Sequence, residues 1–390
     1  MFLPDNVASF PVYSMVYSIP YFILAGVSYL IAKIGLRGKE FKKFELPVVF
    51  VFIIYTLFFG LRWFVMSDTM EYYNIYKEIE PRFSLSYIYS YVGRVEPGFL
   101  FFAMLFKSVG LGFHVFVFYN SLFDFVLLFA CIKRYSINVP LTLLLFLAFN
   151  GISIELNLMR NVKAMYLFLF SIQYIRERRL KKFLLVNLVG LLFHTSAILY
   201  FPMYWLLNKK YNLRLVLIVL GVVTLIYFFY RTLLQDFFLS QIMGIDEGLS
   251  KLQAHALSSE GTVFTFGTIE RIVTLGLLII MMRHDSDQSP MFTIFLNMFF
   301  VYYILFCLFG FNQVFTDRIP NLFVPVYWFI YPYIVNHYSK RIKTFSMIIL
   351  AVLFLKIYSG THMCSAYYET VLFHDTTMYE RYNLEMKVSE

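Results

Sequence analysis

Apolar residues occur in long unbroken runs with short polar stretches between them, near 12–33, 44–63, 113–132, 139–156, 160–176, 213–230, 266–283, 290–310, 318–336 and 344–358. About 18 or more consecutive apolar residues suffice for a helix to cross a bilayer core. Each run is therefore predicted to be a spanning helix. Two further apolar stretches, 97–110 and 183–207, fit less simply. No internal repeat and no linker divides the chain, so one helical membrane domain over 1–390 is expected.

The basic residues between the runs give an orientation. Loop 33–43 holds Lys33, Arg37, Lys39, Lys42 and Lys43, and loop 176–182 holds Arg176, Arg178, Arg179, Lys181 and Lys182. Lys and Arg collect in cytoplasmic loops, so both face inward. Loop 64–96 is acid-rich and faces out, as do 231–265 and the tail 359–390. An even number of crossings must separate two inward loops, yet five apolar stretches intervene. The stretch 97–110, "EPGFLFFAMLFKSVG", is the shortest, opens on Pro and Gly and contains Lys107. It is predicted to dip in from the outer side and return, which backbone does at membrane depth only when enclosed in protein or lining a cavity. The same reasoning makes 183–207 a short hairpin turning near His194. The fold class expected is all-α, a polytopic membrane protein with about ten to twelve spanning helices and one or two re-entrant segments.

Composition agrees. The 390 residues are 60% hydrophobic and 15% charged, with mean hydropathy +0.68, which leaves too few polar groups to cover a soluble domain. The net charge of +9 lies in short inter-run clusters, so membrane orientation explains it and a nucleic-acid partner is not expected. No zinc spacing, P-loop or dinucleotide fingerprint is present. Three cysteines give no disulfide framework, and no metal or cofactor is expected. No basic stretch precedes the first run, which is read as a retained span and not a cleaved signal.

Against this background the charged residues near span ends stand out. "ELNLMRNVKAMYLFLF" sets Glu155, Arg160 and Lys163 between two apolar runs, where an unpaired Arg at a helix centre costs about 2.5–3.5 kcal/mol. Arg160 could simply snorkel to head groups, or act as an anion clamp. With the predicted topology Arg62, Arg160 and Arg318 fall at outer span ends, near Asp68, Arg94 and Glu96, with Arg271 about one turn inside its span. His194 reaches the same level, as a packing residue or a proton carrier. Tyr72 and Tyr76 are either interfacial belt residues or a platform for sugars.

The segments "GLRW…SDTMEYYNIY", "EPGFLFFAML", "RNVKAMYLFLFSIQYIRERRLKKFLLVNLVGLLFHTSAILY" and "DRIPNLF" resemble, in order and spacing, the EpsG/Wzy-like polysaccharide polymerases, integral membrane glycosyltransferases. The resemblance covers roughly residues 50–335. The family pattern has Gln after the helix-initiating arginine, where this chain has Asn161. It has Gly-Thr-Asp before the loop tyrosine, where this chain reads Met66-Ser67-Asp68. The resemblance implies a GT-C-like enzyme of the bacterial cytoplasmic membrane. It would polymerise oligosaccharide units carried on a polyprenyl (undecaprenyl) diphosphate, for O-antigen, capsule or exopolysaccharide, without metal. The partners implied are that glycolipid, membrane lipid and a chain-length regulator protein. Arg160, His194, Asp68, Glu96 and Arg318 would be catalytic, with Asp68 favoured as base; Arg62, Arg94, Tyr72, Tyr76, Lys163 and Arg271 would bind substrate.

Three rivals stand beside it, and one of them, a membrane acyltransferase modifying sugars, needs a catalytic His with a partner. A flippase or transporter of lipid-linked oligosaccharide predicts internal repeats and mid-membrane charges; an O-antigen ligase transfers the finished polymer. The orientation itself is testable. Cysteine placed at Ser86 should react with an impermeant thiol reagent in spheroplasts, while cysteine at Lys39 should not; the reverse labelling overturns the topology.

Overall fold

The computed structural model describes residues 10–36, 45–81, 86–88, 95–229, 265–284, 289–310, 318–340 and 344–389, with Leu233 and Ile342. The described residues are helical apart from turns and two isolated bridges, Tyr13 with Met363 and Arg62 with Thr370. The helices are α1 (Ile19–Leu36), α2 (Leu46–Gly60), α3 (Asp68–Glu78), α4 (Pro97–Ser108), α5 (Phe113–Tyr135), α6 (Val139–Phe146), α7 (Ile152–Asn157), α8 (Asn161–Arg176) and α9 (Leu180–Phe193). Then come α10 (Leu213–Phe229), α11 (Phe266–His284), α12 (Pro290–Phe309), α13 (Val326–Ser339), α14 (Phe345–Thr361) and α15 (Met378–Ser389). Among the described residues, Met15–Gly35, Phe113–Tyr135, Val139–Asn157 and Pro290–Phe309 are long and apolar enough to cross a membrane. Leu46–Gly60, Pro97–Ser108, Leu213–Phe229 and Phe345–Thr361 are shorter apolar helices. Contacts divide the chain into two compact units, 1–201 with 339–390, and 202–338.

Local sequence sets several of these starts. Pro occupies the first turn of α2, α4, α6 and α12, where its missing N–H costs nothing. Asn138 caps α6 by accepting the Leu141 N–H, and Ser289 caps α12 by accepting that of Phe292. The run 318–336 was expected to be one helix, but its helix begins only at Val326, after a 3-10 turn at Pro320–Phe323. Pro320 and Pro325 are the reason, since each removes a helical N–H donor.

In the first unit, α2 and α5 run antiparallel. Phe52 packs on Phe129 and Tyr55 on Phe125, with centroids 5.4 and 5.7 Å apart. At the other end of α2, a Cβ on Gly60 would come within 2.9 Å of Phe118. Helix α8 runs parallel to α5: the Lys163 amine lies 3.0 Å from Asp124, and the Tyr135 hydroxyl donates to the Phe170 carbonyl at 3.2 Å. Phe113 and Asp124 are about 16 Å apart along α5 at 1.5 Å per residue. The first turns of α5 therefore project past the start of α8, and a cap layer packs around them.

The stretch 97–110 forms a 12-residue helix, α4, which at about 18 Å is shorter than a bilayer core. Lys107, the charge that made this stretch anomalous, donates to the Tyr76 and Lys77 carbonyls at 2.7 Å each. It thereby satisfies the C-terminal carbonyls of α3. The chain then turns at Gly110 (φ +77), a left-handed conformation that Gly adopts without steric cost. Helix α9 ends at His194, whose extended backbone (φ −159, ψ 132) leads into a 3-10 turn, Thr195–Tyr200. The predicted turn point is thus a real break.

The span 139–157 carries a break that periodicity did not reveal. Phe149 and Asn150 leave helical geometry between α6 and α7, Asn150 at φ 58. The Asn-Gly dipeptide is the local signal. A Cβ at Gly151 would meet the Phe146 carbonyl at 2.3 Å.

The tail beyond α14 is a built part of the cap. Trp63 N–H donates to the Glu369 carbonyl at 2.9 Å and Val371 N–H to that of Leu61 at 2.8 Å. The Trp63 ring stacks between His114 and His374, at 4.6 and 3.8 Å. Arg381, buried on α15, pairs with Glu369 at 2.6 Å. The tail and the 61–66 segment consequently lie on one side of the bundle.

Glu385 on α15 is held up to about 7, by burial first and by the charge of Asp68 against the opposing pull of Arg381. A carboxyl raised in the folded state lowers stability as pH climbs from its unfolded value, about 4.3, toward 7. Glu385→Gln should therefore leave thermal stability unchanged at pH 4 and raise it by pH 7.5. Equal melting curves for the two proteins at pH 7.5 would show that Glu385 ionises without cost.

Candidate functional site

The start of α8 and the start of α4 meet at the break after α9. Arg160 occupies the N-cap position of α8 and Glu96 that of α4, and neither side chain caps its own helix. They turn to each other instead, with the Arg160 Nη1 2.6 Å from Glu96 Oε2. The N-terminal turn of α4 reaches this point because residue 98 is Gly: a Cβ there would lie 2.7 Å from the Leu192 carbonyl on α9. His194 follows directly, its Nε2 3.9 Å from Glu96 Oε1.

The His194 ring is oriented from behind. The Ser196 N–H donates to Nδ1 at 3.2 Å, so the ring proton is assigned to Nε2, on the Glu96 side. The Ser196 hydroxyl lies 2.7 Å from the same nitrogen and 3.0 Å from Asn161 Oδ1. Asn161 thus ties the His194 turn to the head of α8. Tyr72 completes the group, its ring centroid 5.8 Å from the Arg160 guanidinium. Burial raises its pKa against the opposing pull of Arg160, so the phenol is a protonated donor. Asp68, one turn before Tyr72, couples electrostatically to it and to Glu385.

This cluster is partly open. The side chains of Arg160, His194 and Glu96 are 23, 27 and 12% exposed, and Arg160 Nε is buried without a protein hydrogen-bond partner. Two helix N-termini, each favourable to negative charge, converge beside an arginine with an unused donor. The arrangement can hold an anion, and it offers carboxylate and imidazole groups that carry protons.

A few ångströms deeper lies a different assembly. Lys163 and Asp124, 0 and 1% exposed, pair at 3.0 Å. Asn120 donates to Asp124, and Lys163 also donates to the Met159 carbonyl. The Tyr166 hydroxyl donates to Glu155 at 2.6 Å. Arg62, fully buried, donates to the Phe59 carbonyl at 2.5 Å and to the Ser121 hydroxyl at 3.0 Å. Glu155 and Asp124 are the acids whose charges act on it most. Arg62 and Lys163, expected to touch substrate, are instead enclosed among two carboxylates. Buried charges must be paired, and Lys163 and Asp124 meet that demand in each other. Asp124 was the missed member. Its signal is a lone acid inside the apolar run "NSLFDFVLLFA", which demands a cation.

The remaining expected residues lie elsewhere. Tyr76 donates to the Leu111 carbonyl at 2.7 Å and stacks on Phe116, so its ring is core and not a sugar platform. Arg94 lies outside the described residues. Arg271 and Arg318 belong to the second unit. Arg271 donates to the Tyr302 hydroxyl at 2.6 Å and stacks on Phe306, 4.2 Å from its centroid, while the neighbouring Glu270 accepts from Tyr331 and Thr274. Arg318 is exposed.

The sequence profile of the EpsG family matches residues 45–371. No curated protein and no solved structure matches the chain.

Breaking a buried pair by removing one partner costs about 3–5 kcal/mol, and replacing both is far milder. Asp124→Asn should therefore lower the melting temperature sharply, and Asp124→Asn combined with Lys163→Met should recover most of the loss. A double variant as unstable as the single one would show that the pair is not the source.

Proposed function

The chain belongs to the EpsG family, and from that premise we propose that it is a membrane glycosyltransferase. It polymerises oligosaccharide units carried on polyprenyl diphosphate at the outer face of the bacterial cytoplasmic membrane. The observation that carries this reading is the half-open Arg160–Glu96–His194 cluster at two uncapped helix starts. A diphosphate needs donors in a planar fork and a positive field. Arg160 supplies the fork, and the starts of α4 and α8 supply the field. One edge of its guanidinium is held by Glu96 while Nε is unclaimed by protein.

In this reaction the anomeric carbon of the growing chain loses its bond to the diphosphate oxygen and gains one to a hydroxyl of the next lipid-linked unit. The acceptor proton passes to a base, and polyprenyl diphosphate leaves with the bonding pair. The transition state has oxocarbenium character, and the charge gathering on the leaving group meets Arg160 and the protonated Tyr72 in a partly dry site. Asp68 is the proposed base, because the Glu96 carboxylate is engaged by Arg160. His194, beside Ser196 and Asn161, stands 3.9 Å from the other oxygen of Glu96.

Arg160→Lys keeps the charge and loses the fork. It should abolish polymer or shorten it strongly at wild-type protein level, read on gels of lipid-linked glycan, with single units retained as in a deletion strain. Full-length polymer from Arg160→Lys would return this residue to membrane anchoring. Complete polymer left on the lipid carrier in the deletion strain would point to a ligase, and units trapped on the cytoplasmic side to a flippase.

A further inference from the structure

The second unit carries an apolar groove with a basic mouth. A cavity of about 220 Å³ opens between α10 and α12, lined by Leu206, Leu215, Val216, Val219, Phe300 and Ile304. It exceeds the cavities of about 150 Å³ that admit benzene. One face of α10 is exposed and apolar through Leu215, Ile218, Val222 and Leu225, as suits a helix bathed in lipid chains.

The end of the groove is built, not merely polar. Both amide hydrogens of Asn297, a buried lining residue, are used on the loop above: its Nδ2 donates to the Leu207 carbonyl at 2.8 Å and to that of Lys209 at 2.7 Å. Tyr211, also in the lining, donates to the Leu206 carbonyl at 3.0 Å, and Asn212 caps α10 by accepting the Arg214 N–H at 2.9 Å. These bonds fix a short loop that presents Lys209, Lys210 and Arg214, all exposed, over the mouth. No acidic residue occurs from 178 to 235, so nothing local in sequence neutralises them. Trp205, exposed one residue before the lining begins, is of the type that settles at head-group level.

We propose that this groove is a binding site for one anionic phospholipid, an acyl chain between α10 and α12 and the phosphate at Lys209, Lys210 and Arg214. Charge complementarity selects the occupant, because anionic lipids concentrate at the cytoplasmic surface and the Lys/Arg pattern turns this loop to that side. A polyprenyl diphosphate bound for reaction at the outer face would carry its charge at the wrong end.

The test uses the full-length protein purified in mild detergent and native mass spectrometry after incubation with equimolar phosphatidylglycerol and phosphatidylcholine. The expected result is one phosphatidylglycerol retained at least tenfold over phosphatidylcholine. Lys209→Gln, Lys210→Gln and Arg214→Gln together should erase that preference. Val219→Trp, which fills the groove and keeps the charges, should reduce retention of both lipids, with unchanged melting temperature certifying the fold of each variant. Equal retention of the two lipids by the wild-type protein would overturn the proposal, as would preference surviving in both variants. Displacement of phosphatidylglycerol by equimolar polyprenyl phosphate would reassign the groove to the isoprenoid carrier.

Discussion

The contact between Lys163 and Asp124 sets the register of α8 against α5 in the first unit. An ammonium or carboxylate alone in this interior carries a desolvation penalty of several kcal/mol, so neither residue is tolerated at another register. The 3.0 Å pair therefore sets how far α8 slides along α5. Tyr135 meeting Phe170 farther down repeats the same alignment. Apolar faces alone would not achieve this, since one Leu or Phe serves nearly as well as another in lipid and a slide of one turn costs little. Charge gives the bundle its depth marker.

Once α8 is placed, Arg160 follows. It sits one turn before Lys163, at the level where α2 ends, and the α4 start is brought up to it by the close approach at Gly98. The two charge assemblies are then neighbours with opposite character. In the deeper one, Arg62, Lys163, Asp124 and Glu155 are shut off from outside, and Lys163 and Asp124 pair. In the upper one, the Arg160–Glu96 pair keeps partial exposure and an unclaimed Nε. An ion pair that water reaches is exchangeable, because solvent or ligand can replace one partner at modest cost. A sealed pair is not.

The elements most legible in the sequence were those whose signal is local. Helix positions followed from unbroken apolar runs, α4 from its Pro-Gly start, and the break at His194 from the difficulty of fitting 183–207 as one span. The convergence of Arg160, Glu96 and His194 was also within reach, since each marks an element boundary. What escaped depends on partners far apart in the chain. Arg62 and Lys163 looked like substrate ligands because their compensating acids, Asp124 and Glu155, were not visible as neighbours. The attachment of the tail was not legible, because Trp63 stacks on His374 about 310 positions away and Arg381 pairs with Glu369 through a fold in the tail itself. The break at Asn150-Gly151 lay inside a run so apolar that periodicity had nothing to register.

This contrast explains why one short stretch of sequence carries both scaffold and site. Glu155, Arg160 and Lys163 fall within nine residues, yet only the middle one is left partly open. The break between α7 and α8 turns the chain there: Leu158 leaves helical geometry (φ −103, ψ 50). The residues on either side then point into the sealed quartet, and the one at the break is offered to the boundary. A substrate that arrives with its own negative charge completes a compensation that Glu96 only begins. The sealed charges hold the frame in which that exchange occurs, and their burial keeps them from competing for the substrate. An arginine placed one turn deeper would be locked by Asp124 as Lys163 is, and one placed a turn higher would lose the helix-start field and pair only with water.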